Sequence, residues 1–309
     1  MDFLRMLEGL RTPFWNSFFS YITYCGDELV FLVVAITVFW CVSKRDGYYI
    51  LAVGFLGTIC NQTLKLLFRI PRPWVLDPDF TIVESARAAA TGYSFPSGHT
   101  QNVVGTMTCL LLTTKKTWLR AAAVALMVLV PFSRMYLGCH TPLDVGVSYV
   151  LALALAICLL PVLKKTDETP QVLDRLLLVL LTVGQLYLAF VTYYPFPADV
   201  DADNLQSGVK NAYTLFGSLL GLLAARAIDR RYLRFEVKAV WWAQILKAVL
   251  GLALLLSLKA GLKPLLLAAL PAYPADAVRY GLVVLFAAAG WPATFPWFSR
   301  LGAGRGRSV

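Results

Sequence analysis

Apolar runs of roughly 18 or more residues, long enough to cross a bilayer as helices, recur from one end of the chain to the other, parted by short polar or basic turns. In lipid a helix satisfies its own backbone polar groups, which is why such runs read as spans and not as buried core. The pattern predicts spans over residues 28–42, 48–68, 97–114, 118–136, 142–163, 172–194, 209–227, 239–258 and 277–297. The expected fold is therefore all-α, a polytopic transmembrane helical bundle of about nine spans. The first run is short, so the segment before it is expected to extend it. That segment, residues 3–24, is aromatic and only partly apolar, with Arg5, Glu8 and Arg11 on its polar side. It predicts an N-terminal amphipathic helix lying in the membrane interface. Residues 261–274, interrupted by Pro264, Pro271 and Pro274, are expected to be too broken to span.

Composition agrees with the pattern. Hydrophobic residues make up 58% of the chain and charged residues 15%, whereas a soluble domain carries about a quarter charged residues. The net charge of +10 would point to nucleic acid in a soluble protein. Between spans the same residues set orientation and meet anionic headgroups, so membrane lipids are the expected partners and nucleic acid is not. Residues 1–8 lack the ordered charged, apolar and small-residue regions of a cleaved signal, so the first span is expected to serve as an uncleaved anchor. Six cysteines are scattered without CxxC or histidine-paired spacing, so no disulfide framework, metal site or cofactor is expected.

Lysine and arginine fix the expected orientation. Lys44/Arg45, Lys115/Lys116/Arg120, Lys164/Lys165, Arg226/Arg230/Arg231/Arg234/Lys238 and Arg300/Arg305/Arg307 fall at alternate span ends, which would be cytoplasmic. The opposite ends carry the loop over residues 69–95, the loop around His140 and an acidic turn at Asp199, Asp201 and Asp203. Compact loops and the absence of an outward N-glycosylation sequon (Asn61-Gln62-Thr63 falls within a span) favour a bacterial plasma membrane.

Against this background a few polar residues stand out. The chain has two histidines, His99 and His140, each where a loop runs into an apolar segment on the outer side. Lys65, Arg72 and Arg134 break the orientation rule, and ionisable groups at such depth are costly and by default functional. Lys65, Arg69 and Arg72 are spaced i, i+4 and i+7, one face of a helix, and Pro71 and Pro73 end that helix and hold Arg72 extended. A lysine point charge beside an arginine fork suits a tetrahedral oxyanion. Pro96-Ser97-Gly98-His99 predicts a helix start with Ser97 as N-cap, a ready anion site with Gly98 leaving room for a ligand and His99 beside it. Thr141-Pro142-Leu143-Asp144 is a second helix start, with Asp144 at N3. Asp144 also lies i+4 from His140, close enough to accept the imidazole Nδ1–H and leave Nε2 as a nucleophile. Two histidines, a carboxylate and several cations suit metal-independent phosphoryl transfer through a phosphohistidine, with His99 protonating the leaving alkoxide.

Lys65 to Arg72-Pro73 as K-x6-R-P, Pro96-Ser97-Gly98-His99 as P-S-G-H, and Ser133-Arg134 to His140 to Asp144 as S-R-x5-H-x3-D resemble the three-part signature of the type 2 phosphatidic acid phosphatase superfamily. The resemblance implies Lys65, Arg72 and Arg134 as phosphate ligands, His99 as acid, and His140 as nucleophile oriented by Asp144; the amides at Ser97 and Gly98 join the phosphate ligands from the helix-start reading above. Arg69 lies outside the signature and is an auxiliary candidate. The resembling core extends to about Leu163; the expected organisation is a catalytic core with the interfacial helix over residues 1–166 and, beyond the reach of those motifs, a C-terminal transmembrane extension of unknown role over 167–309. That extension is similar in topology to the sphingosine-phosphate phosphatase and glucose-6-phosphatase branches.

The expected activity is hydrolysis of a lipid phosphate, monoester or diphosphate, at the extracytoplasmic face. A phosphotransferase using the same phosphohistidine and a lipid or anion transporter are the alternatives. In the tail, Asp199-x-Asp201-x-Asp203 lacks the glycine and twelfth-position acid of a calcium loop and is expected to be a solvated turn. Gly217-x-x-x-Gly221 marks a close-packing helix face, internal or dimeric, and no homodimer is predicted.

Overall fold

The computed structural model describes residues 1–88 and 90–301; Arg305 and Arg307, used above for orientation, lie outside the described residues. Every regular element among them is helical. The helices are α1 (Asp2–Gly9), α2 (Pro13–Thr23), α3 (Glu28–Cys41), α4 (Lys44–Phe68), the short α5 (Pro73–Leu76) and α6 (Glu84–Arg87), then α7 (Gly98–Thr113), α8 (Thr117–Tyr136) and α9 (Pro142–Lys164). They continue with α10 (Gln171–Tyr193), α11 (Ala202–Ile228), α12 (Trp241–Ala269), α13 (Ala272–Leu285) and α14 (Phe295–Arg300). Among the described residues seven helices are long and apolar enough to cross a membrane, or eight if the pair Pro13–Gly26 and Glu28–Cys41, bent by 49°, is one span. The protein is an integral membrane protein.

The expected span over residues 97–114 is the 16-residue α7, which is not among those candidate spans, and two further segments depart from the sequence reading. Residues 3–24 form two helices, not one. Pro13 has no N–H and pushes Thr12 into the extended region (φ −134°, ψ 158°), where the Thr12 hydroxyl caps α2 by accepting from Trp15 N at 3.4 Å. Residues 261–274 are not an interrupted loop. The helix α12 continues through Pro264 to Ala269, since in an apolar surrounding the backbone has no better partner than its own next turn.

Two compact units are interleaved along the sequence. The first comprises residues 1–34, 49–161 and 195–206; the second comprises 35–48, 162–194 and the chain from 207 onward. In the first, α7 and α8 pack through Val103, Val104, Met107, Ala123, Met127 and Val130, joined by Ala152 of α9. A second apolar cluster, Phe19, Ile82, Ala86, Tyr136, Leu137 and Cys139, binds α2 and the loop before α7 to the end of α8. The polar edge of α1 is tied to the same loop: Arg5 bonds Asp77 Oδ2 at 2.7 Å, and Arg11 bonds Thr81 O at 2.8 Å and Tyr136 O at 3.0 Å. Leu4 and Leu7 are buried beneath α1, while Phe3, Met6 and Leu10 remain exposed, the division expected of an interfacial helix docked on its own protein.

In the second unit the glycine pair of α11 meets α13 inside the same chain. A Cβ at Gly217 would lie 2.0 Å from Ala277 O, and one at Gly221 2.2 Å from Gly281 O. The small-residue face is therefore filled internally, the close backbone packing that stabilises helix pairs in lipid. The cysteines are free.

Candidate active site

The site lies in the first unit, where four helix ends and one loop converge. The helix α4 stops at Phe68, and Arg69 takes a left-handed φ of 48°, a conformation costing a non-glycine residue about 1–2 kcal/mol. This termination breaks the expected i, i+4, i+7 face. Arg69 bonds Leu66 O at 3.5 Å and stays outside the cluster that Lys65 and Arg72 join. Arg72 is extended (φ −70°, ψ 155°) ahead of Pro73, as the two prolines require.

Arg72 is buried and spends its fork on main-chain carbonyls. Nε donates to Gly92 O at 2.9 Å, Nη2 to Thr91 O at 2.6 Å and Nη1 to Cys139 O at 3.0 Å. Nη1 is also 3.0 Å from Nε2 of His140. Lys65 Nζ donates to Tyr93 O at 2.6 Å. Residues 91–93 thus supply three carbonyls that hold two cations at His140.

Behind the far ring nitrogen of His140 the expected direct bond to Asp144 is absent. Nδ1 and Asp144 Oδ2 are 3.7 Å apart, too far for a hydrogen bond. Ser94 stands between them: its hydroxyl donates to Asp144 Oδ2 at 2.6 Å and lies 3.4 Å from Nδ1. With the Ser94 proton committed to the carboxylate, the hydroxyl oxygen accepts from Nδ1–H, and Nε2 keeps its lone pair. Asp144 also serves as the N-terminal acid of α9, its Oδ2 accepting from Thr141 N at 2.7 Å. Both roles foreseen for Asp144 coexist, one of them relayed.

The start of α7 faces this arrangement. Ser97 is the N-cap, accepting from Thr100 N at 3.4 Å, and its own N–H donates to Asp144 O at 3.2 Å, which ties the starts of α7 and α9 together. At Gly98 an added Cβ would find only Asn61 Oδ1, at 4.0 Å, so protein packing leaves the space beside this residue open. His99 Nε2 lies 2.8 Å from Asp27 Oδ1. Asp27 is presented by the turn Tyr24–Gly26, which approaches α7 so closely that a Cβ at Gly26 would sit 3.0 Å from His99 O. Arg134 is 1% exposed; its Nη1 donates to Thr23 Oγ1 at 2.9 Å, while its Nε has no protein partner. A cleft of about 20 Å³ lined by Thr23, Tyr24, Asp27, Ser85, His99 and Arg134 opens beside these groups.

Structure thus brings together Lys65, Arg72, Ser97, Gly98, His99, Arg134, His140 and Asp144 and leaves Arg69 out. It adds Ser94, Thr23 and Asp27. Three cations face the carboxylates of Asp27 and Asp144, so the pocket holds surplus positive charge with donors preset for an oxyanion.

Comparison with known proteins fits this geometry. Residues 47–167 match the family model for the PAP2 superfamily, and residues 213–305 match that for the PAP2 superfamily phosphatase transmembrane extension. An undecaprenyl-diphosphatase of Sulfolobus acidocaldarius is 27% identical over 153 residues, covering 49% of this chain and 72% of its own. A lipid A 4'-phosphatase of Bacteroides thetaiotaomicron is 26% identical over 153 residues, covering 46% of this chain and 66% of its own. A solved structure, that of Aquifex aeolicus LpxE, is 26% identical and covers 52% of this chain and 93% of its own, with a TM-score of 0.46. The chain belongs to the PAP2 superfamily. It is a membrane phosphatase, a phosphoric ester hydrolase.

Proposed function

We propose that the chain hydrolyses a lipid phosphate, monoester or diphosphate, at the extracytoplasmic face of a bacterial plasma membrane through a phosphohistidine on His140. The observation that carries this reading is His140 itself, with Arg72 at its Nε2 and the Ser94–Asp144 pair behind its Nδ1. An entering phosphate takes the Arg72 N–H from Nε2, and the freed lone pair attacks phosphorus as the bond to the leaving oxygen breaks. Lys65, Arg72, Arg134 and the Gly98 amide hold the equatorial oxygens, while the Ser97 N–H, already given to Asp144 O, keeps the start of α7 in place. His99, as imidazolium held by Asp27, gives its proton to the leaving oxygen. It then takes one from the water that attacks the phosphohistidine, so that phosphate departs and both histidines return to their starting state.

The cations carry the charge neutralisation this chemistry needs, which supports a reaction without a metal. Polyprenyl diphosphates and lipid A phosphates, named for the relatives above, are the substrate classes to examine first. An apolar tail would enter laterally between spans while its phosphate meets the site. The test is phosphate release by purified protein across undecaprenyl diphosphate, lipid A, phosphatidate and a sphingoid-base phosphate, with EDTA present and His140→Ala as blank. Release by the wild type and not by the variant is expected. Turnover by His140→Ala, or activity dependent on added divalent ions, overturns the reading.

A further inference from the structure

Residues 91–93 are the seat of Arg72 and Lys65, and among the described residues a small set of further hydrogen bonds fixes them and the adjoining Ser94. One is the Ser94 N–H, donated to Ile70 O at 2.8 Å. The others come from a segment remote in sequence, residues 195–206, which belongs to the same compact unit. There Asn204 Oδ1 accepts from Tyr93 N at 3.0 Å, and the Tyr93 hydroxyl accepts from Asp201 N at 3.0 Å. Gly92 has φ +70°, and a Cβ on it would lie 2.2 Å from Asn204 Oδ1, so the loop is closely fitted to this one side chain.

Asn204 is itself fixed. Asp201 is the N-cap of α11, its Oδ1 accepting from Asn204 N and from Asn204 Nδ2, each at 2.8 Å. The second bond orients the amide so that its oxygen faces Tyr93. The acidic turn, which the sequence offered only as a solvated loop, is therefore a bracket. Asp201 starts a helix and aims Asn204, and Asn204 holds the backbone whose carbonyls aim the cations. Both residues lie outside the segments that match the two family models.

We propose that Asn204 is a positioning residue for the phosphate site, acting through residues 91–93 on Arg72 and Lys65. This rests on the phosphatase reading of that site. Its role is to keep the oxyanion donors in place before substrate arrives, so its loss weakens anion binding more than the chemical step.

The experiment compares wild type, Asn204→Ala, Tyr93→Phe and the exchange Asp201→Asn/Asn204→Asp. It reads kcat and KM on a lipid phosphate, the affinity for orthovanadate by thermal shift, and the unfolding midpoint. In the exchange the two side chains trade roles: the amide now at position 201 donates to the carboxylate now at position 204, and that carboxylate still accepts from Tyr93 N. Asn204→Ala is expected to raise KM and weaken vanadate binding about three- to tenfold, the scale one hydrogen bond supports, with kcat less affected. Tyr93→Phe should do the same to a smaller degree, and the exchange should restore wild-type behaviour. Unchanged KM and vanadate affinity in Asn204→Ala overturns the proposal. So does a loss shared equally by kcat, KM and the unfolding midpoint that the exchange fails to restore, which would mark a fold contact only. If the wild type releases no phosphate, the phosphatase reading falls, while weaker vanadate binding in Asn204→Ala still supports the positioning role.

Discussion

Ser94 joins two groups that do not reach each other, since Asp144 Oδ2 is 3.7 Å from His140 Nδ1. Removing the hydroxyl takes the acceptor from the imidazole N–H of a buried histidine, and the tautomer that exposes Nε2 loses its support. A hydrogen bond in a charged relay contributes about 1.5–3 kcal/mol, so Ser94→Ala should lower kcat roughly ten- to a hundredfold while leaving KM near the wild-type value. Steady-state kinetics on a lipid phosphate check this, and an unchanged kcat would remove Ser94 from the site. The same serine marks the boundary of what sequence reasoning reached. Lys65, Arg72, Arg134 and the two histidines were legible because ionisable side chains are rare and costly in apolar spans. Ser94, Thr23 and Asp27 were not, because a serine, threonine or aspartate near a helix end has an ordinary capping job available. Only tertiary approach, such as Gly26 closing on His99, reveals the second use.

At the scale of elements, span and helix assignments followed from apolar run length, and the errors fell where proline acted in context. Thr12-Pro13 divides one expected helix because the residue before proline is driven extended, whereas Pro264 leaves α12 intact. The consequence of the first break is that α1 is a separate, docked element. Glu8 is its central tie, accepting from Thr81 N at 2.8 Å and also from the Thr81 hydroxyl. Burial works against ionisation of Glu8, but the Thr81 bonds and the charges of Arg5 and Arg11 outweigh it and hold the carboxyl below its ordinary value of 4.5. With the folded value depressed, the stabilisation from Glu8 is complete above the ordinary value and is lost as pH falls through the folded one. Protection of the α1 amides, taken relative to their intrinsic exchange rate, should therefore fall once pH drops below that ordinary value, and Glu8→Gln should show the lower protection already at neutral pH. Exchange that is insensitive to both changes would mean that Leu4 and Leu7 alone dock the helix.

For the molecule as a whole, the reading that most constrains its role in a cell is sidedness. Along α7 and α8 the site groups lie at the ends opposite Lys115 and Lys116, and the proposed orientation takes those lysines as cytoplasmic by the positive-inside rule. The rule carries weight here because the loops are short, the regime in which lysine and arginine set topology. Of the three cations at the other end, Arg72 and Arg134 are buried, and as proposed phosphate ligands all three are left out of the count. Two exposed positions separate the faces: Glu84, on α6 beside the site loop, and Lys165, just past the end of α9. Single variants Glu84→Cys and Lys165→Cys, made in a background with the six native cysteines replaced by serine or alanine, give each face one thiol. A membrane-impermeant maleimide applied to intact spheroplasts should label the Glu84→Cys variant at once and the Lys165→Cys variant only after permeabilisation. The reverse order would turn the site toward the cytoplasm. The enzyme would then draw on lipid phosphates as they are made inside the cell, and not on those released at the outer leaflet.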